Sequence, residues 1–191
     1  MLPLLLIALL AGAPPALAGP PVHLEGTAFG QPFEIDALGT PPESVRQTLD
    51  GALAEIRTVE RLTDPDRADG GLKPLNDAAG QGAQTVSPEL LALLQRGQSF
   101  CVWTEGAFGP LGGDLLRAWG VSSNTPAIAP PSPERLLQAT AAAGCDRLGI
   151  DVQKSQAALL PGSVLDFSGF AAGEAVDRAV EALKRNGAAA G

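Results

Sequence analysis

Basic residues are scarce in this chain of 191 residues. It holds 13 Lys and Arg against 21 Asp and Glu, which gives a formal net charge of −8. A strongly acidic protein is repelled by the phosphates of nucleic acids and by the headgroups of an anionic bilayer. The composition therefore argues against nucleic acids and anionic membranes as partners.

Cysteine and histidine are nearly absent. Cys101 and Cys145 are the two cysteines and have no CxxC spacing, so neither a zinc site nor a redox motif is expected. They could pair in an oxidising compartment, but sequence does not place their Cα atoms within bridging distance. We expect two buried free thiols. His23, the single histidine, has no recognisable Ser or Cys nucleophile near it, so we expect a histidine on a strand face rather than in a catalytic triad.

A long apolar run occurs at the start of the chain. Residues 2–10 are apolar, and Ala13-Pro14-Pro15 and the small-residue site Ala16-Leu17-Ala18 follow. The run is too short and too interrupted by proline for a membrane span, so we predict a cleavable signal peptide over residues 1–18, although no Lys or Arg precedes the run. Because no Cys follows closely, a lipid anchor is not expected, and the protein should be soluble in the periplasm.

The remaining residues, 19–191, predict one globular domain, since 45% of the chain is hydrophobic. Alternating residues predict a β-hairpin of two strands, and caps followed by apolar residues at three- and four-residue spacing predict about four helices. The fold class is therefore α+β, with antiparallel strands and helices packed on them. The predicted strands are 22–25, 33–36, 148–152 and 163–166; the helices start near Thr40, Ser87, Ser132 and Ala171; the loops are 63–82 and 121–131.

The stretch from Leu165 to Arg178 joins a predicted strand, ending at Phe167, to an amphipathic helix through small residues. Gly169 and Gly173 bracket a turn where the backbone can approach a ligand, and phosphate groups bind at such junctions. No GxGxxG or GxxxxGK[ST] fingerprint is present. Taken alone, the stretch is equally typical of an ordinary packed strand–helix junction.

Several segments resemble, in order along the chain, the motifs of the ApbE-type FAD:protein FMN transferases. The stretch from Asp166 to Asp177 is similar to the family signature Asp-x-x-x-x-x-(Lys or Glu)-Gly-Tyr-Ala-x-Asp. The resemblance implies an ApbE-like domain, related to the T-fold, and covers nearly everything after the leader. The other matching segments are Glu25-Gly26-Thr27, Asp64-Pro65-Asp66, Leu75-Asn76, Val86 to Leu90, Glu105 to Pro110 and Leu116 to Gly120.

The resemblance also implies a set of site residues. Gly26 and Thr27 would border the flavin of FAD, and Ala107 and Phe108 would hold its adenosine part through the main chain. The cofactor-binding set is completed by Asp166 and Ala172, and the carbonyl group of Gly169 would be a ligand of Mg²⁺.

This chain departs from the family pattern at several of these positions. Glu25 replaces Met, Gly109 replaces the Asp after Phe, Ala172 replaces Lys or Glu, and Glu174 replaces Tyr. There is no tyrosine anywhere, so an aromatic stacking surface near Thr63 is lost. The family's downstream Asp-Pro-x-Thr-Gly motif, which supplies further metal ligands, is also absent from the sequence. We therefore expect an incomplete domain, which is either a truncated gene product or a shortened relative that a partner completes.

Two functions from different classes follow, together with a third, plainer one. The first is the family reaction, the Mg²⁺-dependent transfer of FMN from FAD onto a Thr or Ser of a flavoprotein subunit. The second is a catalytically inactive flavin-binding or assembly module of the same fold. The third is a simple periplasmic interaction domain. Whether this chain alone is active is left open by the sequence.

Overall fold

The computed structural model describes residues 21–38, 42–121 and 129–186. Its first element is a β-hairpin of β1 (Val22–Ala28) and β2 (Gln31–Ala37), paired from Val22 with Ala37 to Ala28 with Gln31. The two residues of the turn, Phe29 and Gly30, have φ angles of 53° and 72°, as a tight hairpin turn requires. The predicted hairpin is confirmed.

The longest helix, α1 (Pro42–Thr63), packs against the last helix, α6 (Ala171–Arg185). Its apolar residues recur at helical spacing and form one buried face. The predicted cap at Thr40 lies outside the described residues. The buried positions of α1 are Val45, Leu49, Ala52, Ile56, Val59 and Leu62.

Two further helices begin as their sequence caps predict. The hydroxyl oxygen of Ser87 accepts a hydrogen bond from the Leu90 N–H at 3.2 Å and starts α3 (Pro88–Trp103). Ser132 caps α5 (Pro133–Ala141) in the same way. In both helices a proline occupies the first turn, where no N–H partner is needed.

The structure has two short helices that the sequence did not predict. The stretch predicted as the loop 63–82 contains α2 (Leu72–Asp77), whose Leu72 and Leu75 are buried. The helix α4 (Gly113–Ala118) follows Pro110. The described residues thus form six α-helices instead of about four. The two extra helices are too short to show a hydrophobic period in the sequence; burial of two leucines stabilises α2, and packing on α5 stabilises α4.

The second sheet differs from the prediction. It consists of β3 (Gln84–Thr85), β5 (Gln156–Leu159) and β4 (Leu148–Asp151), antiparallel and in that order. The predicted strand 163–166 is wrong, since Val164 makes a single bridge with Gly112. The reason is that the backbone of Leu165 bonds to the side chain of Asn76, and the Asp166 N–H bonds to the Pro110 carbonyl in a loop.

The buried face of α6 also differs from the prediction. Ala172 is exposed and Val176 is 60% exposed, although apolar residues at helical spacing are expected to face inward, while Glu174 is only 4% exposed. Trp103 and Trp119 are 78% and 48% exposed, so they lie outside the core. Among the described residues, no helix is both long and apolar enough to cross a membrane.

Cys101 and Cys145 form a disulfide bond, which corrects the expectation of two free thiols. Their Cα atoms are 5.8 Å apart, because α3 ends beside the 3-10 helical turn Cys145–Arg147. Sequence could not place these two elements together, since they are far apart along the chain.

Candidate functional site

The bend that precedes α6 is open to solvent on its outer side and anchored on its inner side. Phe167 is buried in the core, whereas Ser168 and Gly169 are exposed. The carboxylate of Asp166 accepts a hydrogen bond from the Ser168 N–H at 2.8 Å, which fixes the bend. The N–H of Phe170 then bonds to the Phe167 carbonyl group, and α6 begins at Ala171.

Asn76 holds the segment before the bend in place. Its side-chain oxygen accepts from the Leu165 N–H at 2.7 Å, and its NH₂ group donates to the Leu165 carbonyl at 3.0 Å. The Asp166 N–H donates to the Pro110 carbonyl at 2.8 Å. These bonds satisfy the backbone without a neighbouring strand, which is why the predicted strand does not form.

A second turn, at the end of α3, lies beside the bend. The Gly106 N–H donates to the Cys101 carbonyl at 2.8 Å, and the hydroxyl oxygen of Thr104 accepts from the Phe108 N–H at 3.0 Å. Gly106 has a φ angle of +83°, which a glycine adopts without strain. Ala107 is exposed at the tip of this turn.

The two turns together form a cavity of about 290 Å³, the disulfide-side cleft. It brings together four of the predicted site residues, Ala107, Phe108, Asp166 and Gly169. Its lining also includes main-chain atoms and apolar side chains from α4 and from the segment after α5. The remaining lining residues are Gly106, Gly109, Gly112, Leu115, Leu116, Ala143 and Ser168.

A cavity of about 410 Å³, the hairpin-side cleft, adjoins the same bend. It is lined by the predicted residues Asp166 and Ala172 and shares Asp166 and Ser168 with the disulfide-side cleft. The two clefts therefore meet at the bend. The remaining lining residues are Phe29, Gly30, Glu60, Thr63, Asp64, Pro65 and Ala171.

The first turn of α6 directs the positive end of its helix dipole towards this junction, where the carboxylates of Glu60, Asp64 and Asp166 line the hairpin-side cleft. Its N-cap residue, Phe170, offers no side-chain hydrogen bond to the first N–H groups of the helix. Those N–H groups carry the positive end of the helix dipole. Because Ala171 and Ala172 have small side chains and line the hairpin-side cleft, the first turn is accessible to a ligand there.

The turn of the hairpin is fixed to α1 by two charged side chains. Glu60 accepts a hydrogen bond from the Phe29 N–H at 2.8 Å, and Arg57 donates to the Thr27 carbonyl at 2.6 Å. Arg57 also donates to Glu60 at 2.8 Å. The predicted residues Gly26 and Thr27 line neither cleft and lie in the strand that leads to Phe29.

Sequence reasoning missed an ion-pair cluster around the buried carboxylate of Glu174, on the other side of the bend. One oxygen of Glu174 lies 3.0 Å from Arg96, and the other lies 2.8 Å from Nε of Arg178. Asp177 pairs with Arg96 at 3.2 Å at the exposed edge of the cluster. The cluster fixes α6 to α3 and explains why Glu174 points inward. The replacement of the family's Tyr by Glu174 was the signal that could have revealed it.

The described residues do not build a complete magnesium site. Mg²⁺ prefers six oxygen ligands in a near-octahedral arrangement. Gly169 can offer its carbonyl oxygen and Asp166 its carboxylate, but the part of the chain that the structure describes has no cluster of three His, Cys, Asp or Glu residues suited to a metal. These residues alone therefore do not fit the metal.

The ApbE family model matches residues 29–191. The chain belongs to the ApbE family. Among curated relatives, the FAD:protein FMN transferase of Rhodobacter capsulatus is 32% identical over 180 residues, which cover 89% of this chain and 33% of the relative. The FAD:protein FMN transferase of Haemophilus influenzae is 33% identical over 170 residues, with 86% and 49% covered. This chain spans between one third and one half of the length of these two ApbE relatives.

Solved structures of ApbE proteins have the same fold. The ApbE protein of Thermotoga maritima superimposes with a TM-score of 0.78 at 23% identity, over 87% of this chain and 53% of that chain. The apo flavinyl transferase ApbE of Pseudomonas stutzeri gives a TM-score of 0.75 at 22% identity, over 88% and 56%. The predicted ApbE-like α+β fold is confirmed.

Proposed function

We propose that this chain binds FAD across the bend between Leu165 and Ala171. The adenosine part would occupy the disulfide-side cleft, against the main chain of Ala107 and Phe108. The pyrophosphate would lie at the first turn of α6, and the flavin would extend into the hairpin-side cleft towards Phe29. Gly26 and Thr27 would then act through the position of the hairpin turn.

One observation carries this proposal: two clefts of ligand size meet at the bend that matches the family signature. A dinucleotide has two ring systems joined by a charged linker, so it needs two neighbouring cavities with an anion site between them. Helix N-termini supply such a site through N–H groups without an intrahelical acceptor, and in α6 the site would use the groups after Ala171, whose own N–H donates to the Phe167 carbonyl. Ser168, which lines both clefts, would contact the linker through its hydroxyl group, whereas the carboxylate of Asp166 would face the linker across a cation.

The reaction proposed for this fold is transfer of FMN to a protein hydroxyl group. The oxygen of a Thr or Ser on a flavoprotein subunit would attack the phosphorus of the FMN half. The bond to the bridging oxygen would break, AMP would leave, and the hydroxyl proton would be lost to solvent or a base. The reaction needs stabilisation of phosphate charge, which Mg²⁺ supplies when it is bound. Gly169 is the proposed ligand, and further ligands would have to join it.

A catalytically inactive flavin-binding module is the second candidate. The replacement of Lys or Glu by Ala172 favours it, because a polar group is then missing from the cleft. The lack of a complete metal cluster among the described residues also favours it.

We also propose that the protein is exported to the periplasm. The disulfide between Cys101 and Cys145 supports this location, since disulfides persist in oxidising compartments and are rare in the cytosol. Fractionation of cells that express the full sequence tests it: the protein should be in the periplasmic fraction, shortened by the predicted leader. Retention of the uncleaved protein in the cytosol would contradict this location.

Calorimetric titration of the purified protein with FAD tests the binding proposal. We expect a saturable signal that is lost when Ala107 is replaced by Trp, which fills the disulfide-side cleft. The matched control is Ala92→Trp on the exposed side of α3. No binding of FAD by the folded protein would refute the proposal. Incubation with FAD, Mg²⁺ and an acceptor polypeptide then separates the two candidates, because transfer leaves fluorescent flavin on the acceptor in a denaturing gel and simple binding does not.

A further inference from the structure

The disulfide bond lies beneath the disulfide-side cleft and joins its two walls. Cys101 is near the end of α3, and the turn Gly106–Gly109, which forms one wall, is bonded to its carbonyl group through the Gly106 N–H. Cys145 lies two residues after Ala143, which lines the opposite wall. A covalent bond thus fixes the spacing of two walls from distant parts of the chain.

Gly109 shows how closely the turn packs on this bond. A Cβ atom built at Gly109 would lie 2.9 Å from the Cys101 sulfur, closer than real Cβ atoms approach, and 3.9 Å from the Ala143 carbonyl oxygen. A disulfide sulfur is held by its partner and cannot rotate away as the end of a flexible side chain can. The disulfide therefore requires glycine at the position where the family pattern has Asp.

We propose that the Cys101–Cys145 disulfide and Gly109 together are a positioning element for the adenosine half of the nucleotide. The bond holds the main chain of Ala107 and Phe108 in place through Cys101, whose carbonyl group accepts from the Gly106 N–H. Binding of that half depends on the oxidised state. The inference rests on the proposed function of the two clefts.

Reduction should release this element without disturbing the other cleft. A dithiol delivers two protons and two electrons: its two S–H bonds and the Cys101–Cys145 S–S bond break, two protein thiols form, and the dithiol closes into its own disulfide. The walls then separate by local motion, and binding must restore their order at a cost in free energy. The hairpin-side cleft is fixed by Glu60 and Arg57 instead, so it should not respond.

The experiment measures dissociation constants for FAD, ADP and FMN by calorimetry, with the protein oxidised and then reduced by a dithiol. We expect reduction to raise the dissociation constants of ADP and FAD by about tenfold, which calorimetry measures readily, and to leave the dissociation constant of FMN unchanged. Reoxidation should restore the original values. The Cys101→Ala/Cys145→Ala variant should bind ADP as weakly as the reduced protein, with or without dithiol.

The outcomes separate this inference from the proposed function. Equal ADP affinity in the oxidised and reduced protein would overturn the inference while FAD binding stands. An equal loss of FMN affinity on reduction would also overturn the inference, because the disulfide would then support the whole fold rather than one cleft. If the oxidised protein binds neither FAD nor ADP, the proposed function itself fails. Circular dichroism of each sample shows whether it is folded. If the double variant does not fold, the comparison of the oxidised and reduced protein still tests the inference.

Discussion

The two clefts that meet at the bend are held by different forces. The walls of the disulfide-side cleft are joined by a covalent bond between distant segments and by hydrogen bonds of Thr104. The hairpin-side cleft depends on Glu60 and Arg57, two charged side chains at the surface of α1. One cleft thus has a covalent link between its walls, whereas the other depends on noncovalent contacts alone. Chemical reduction should therefore act on the first cleft and side-chain substitution on the second.

Removal of the disulfide should have the largest effect on stability. The bond closes a loop with a sequence separation of 44 residues. A loop of this size raises the free energy of unfolding by about 4 kcal/mol in the chain-entropy description. We expect a loss of this order for Cys101→Ser/Cys145→Ser in urea unfolding. An unchanged midpoint would show that the bond does not restrict the unfolded chain.

Replacement of Gly109 sharpens the same point. Gly109→Ala places a Cβ atom against the Cys101 sulfur, and such overpacking costs about 1–3 kcal/mol. The cost should largely vanish in the Cys101→Ser/Cys145→Ser background, where the side chains can turn away. A double-mutant cycle on the free energy of unfolding measures this coupling. Additive effects would mean that the glycine and the disulfide are independent.

Asn76 serves both clefts, so its loss should not distinguish them. Asn76→Ala removes two hydrogen bonds to the Leu165 backbone and should lower the free energy of unfolding by about 2 kcal/mol. Because Asp166 follows Leu165 and lines both clefts, the affinities for ADP and FMN should fall together. Asn76→Asp is the matched variant: it keeps the acceptor for the Leu165 N–H but sets a carboxylate oxygen against the Leu165 carbonyl, so it should be no less destabilising than Asn76→Ala. A selective loss of one ligand would contradict this role.

Glu60 should affect the hairpin-side cleft alone. Glu60→Ala leaves the Phe29 N–H without its acceptor and removes one of the two acceptors of Arg57, so it should lower the free energy of unfolding by about 1 kcal/mol. We expect weaker FMN binding and unchanged ADP binding, the opposite of the effect of reduction. Glu181→Ala, which removes one exposed ion pair with Lys184, is the control and should change neither. Loss of ADP affinity in Glu60→Ala would remove the distinction between the clefts.

The sequence predicted those elements whose signal is local. Ser87 and Ser132 correctly predicted the starts of α3 and α5, because an N-cap residue and a proline at the first helical position act within one turn. The hairpin was predicted from alternation on both sides of Phe29 and Gly30, and the family signature located the bend. Helices and tight turns depend on neighbours in sequence, so residue patterns suffice for them.

The features that sequence missed depend on contacts between distant segments. The segment 163–166 has the composition of a strand, but Asn76 from far upstream takes the hydrogen bonds that a strand would use. The disulfide depends on where α3 ends relative to the turn Cys145–Arg147. Glu174 is buried because Arg96 and Arg178 neutralise it, whereas helical spacing alone would put an apolar side chain there. Burial and pairing of this kind follow from the packed fold.

The smallest effect is expected at the far end of the hairpin, where His23 and Asp36 pair across the two strands. Their side chains are 2.8 Å apart, and the hydrogen bond to Asp36 raises the pKa of His23 above its usual 6.5. A raised pKa in the folded state stabilises the protein fully below the unfolded pKa, and this contribution is lost as pH rises through the folded value. Asp36→Asn should lower the His23 pKa towards 6.5 and reduce this pH dependence, although Glu34 and Glu25 still raise the pKa. An NMR titration of the single histidine measures the change directly. Since the pair is exposed and lines neither cleft, the affinity for nucleotides should be the same in Asp36→Asn. A changed affinity would show that the charge of this pair influences binding in the hairpin-side cleft.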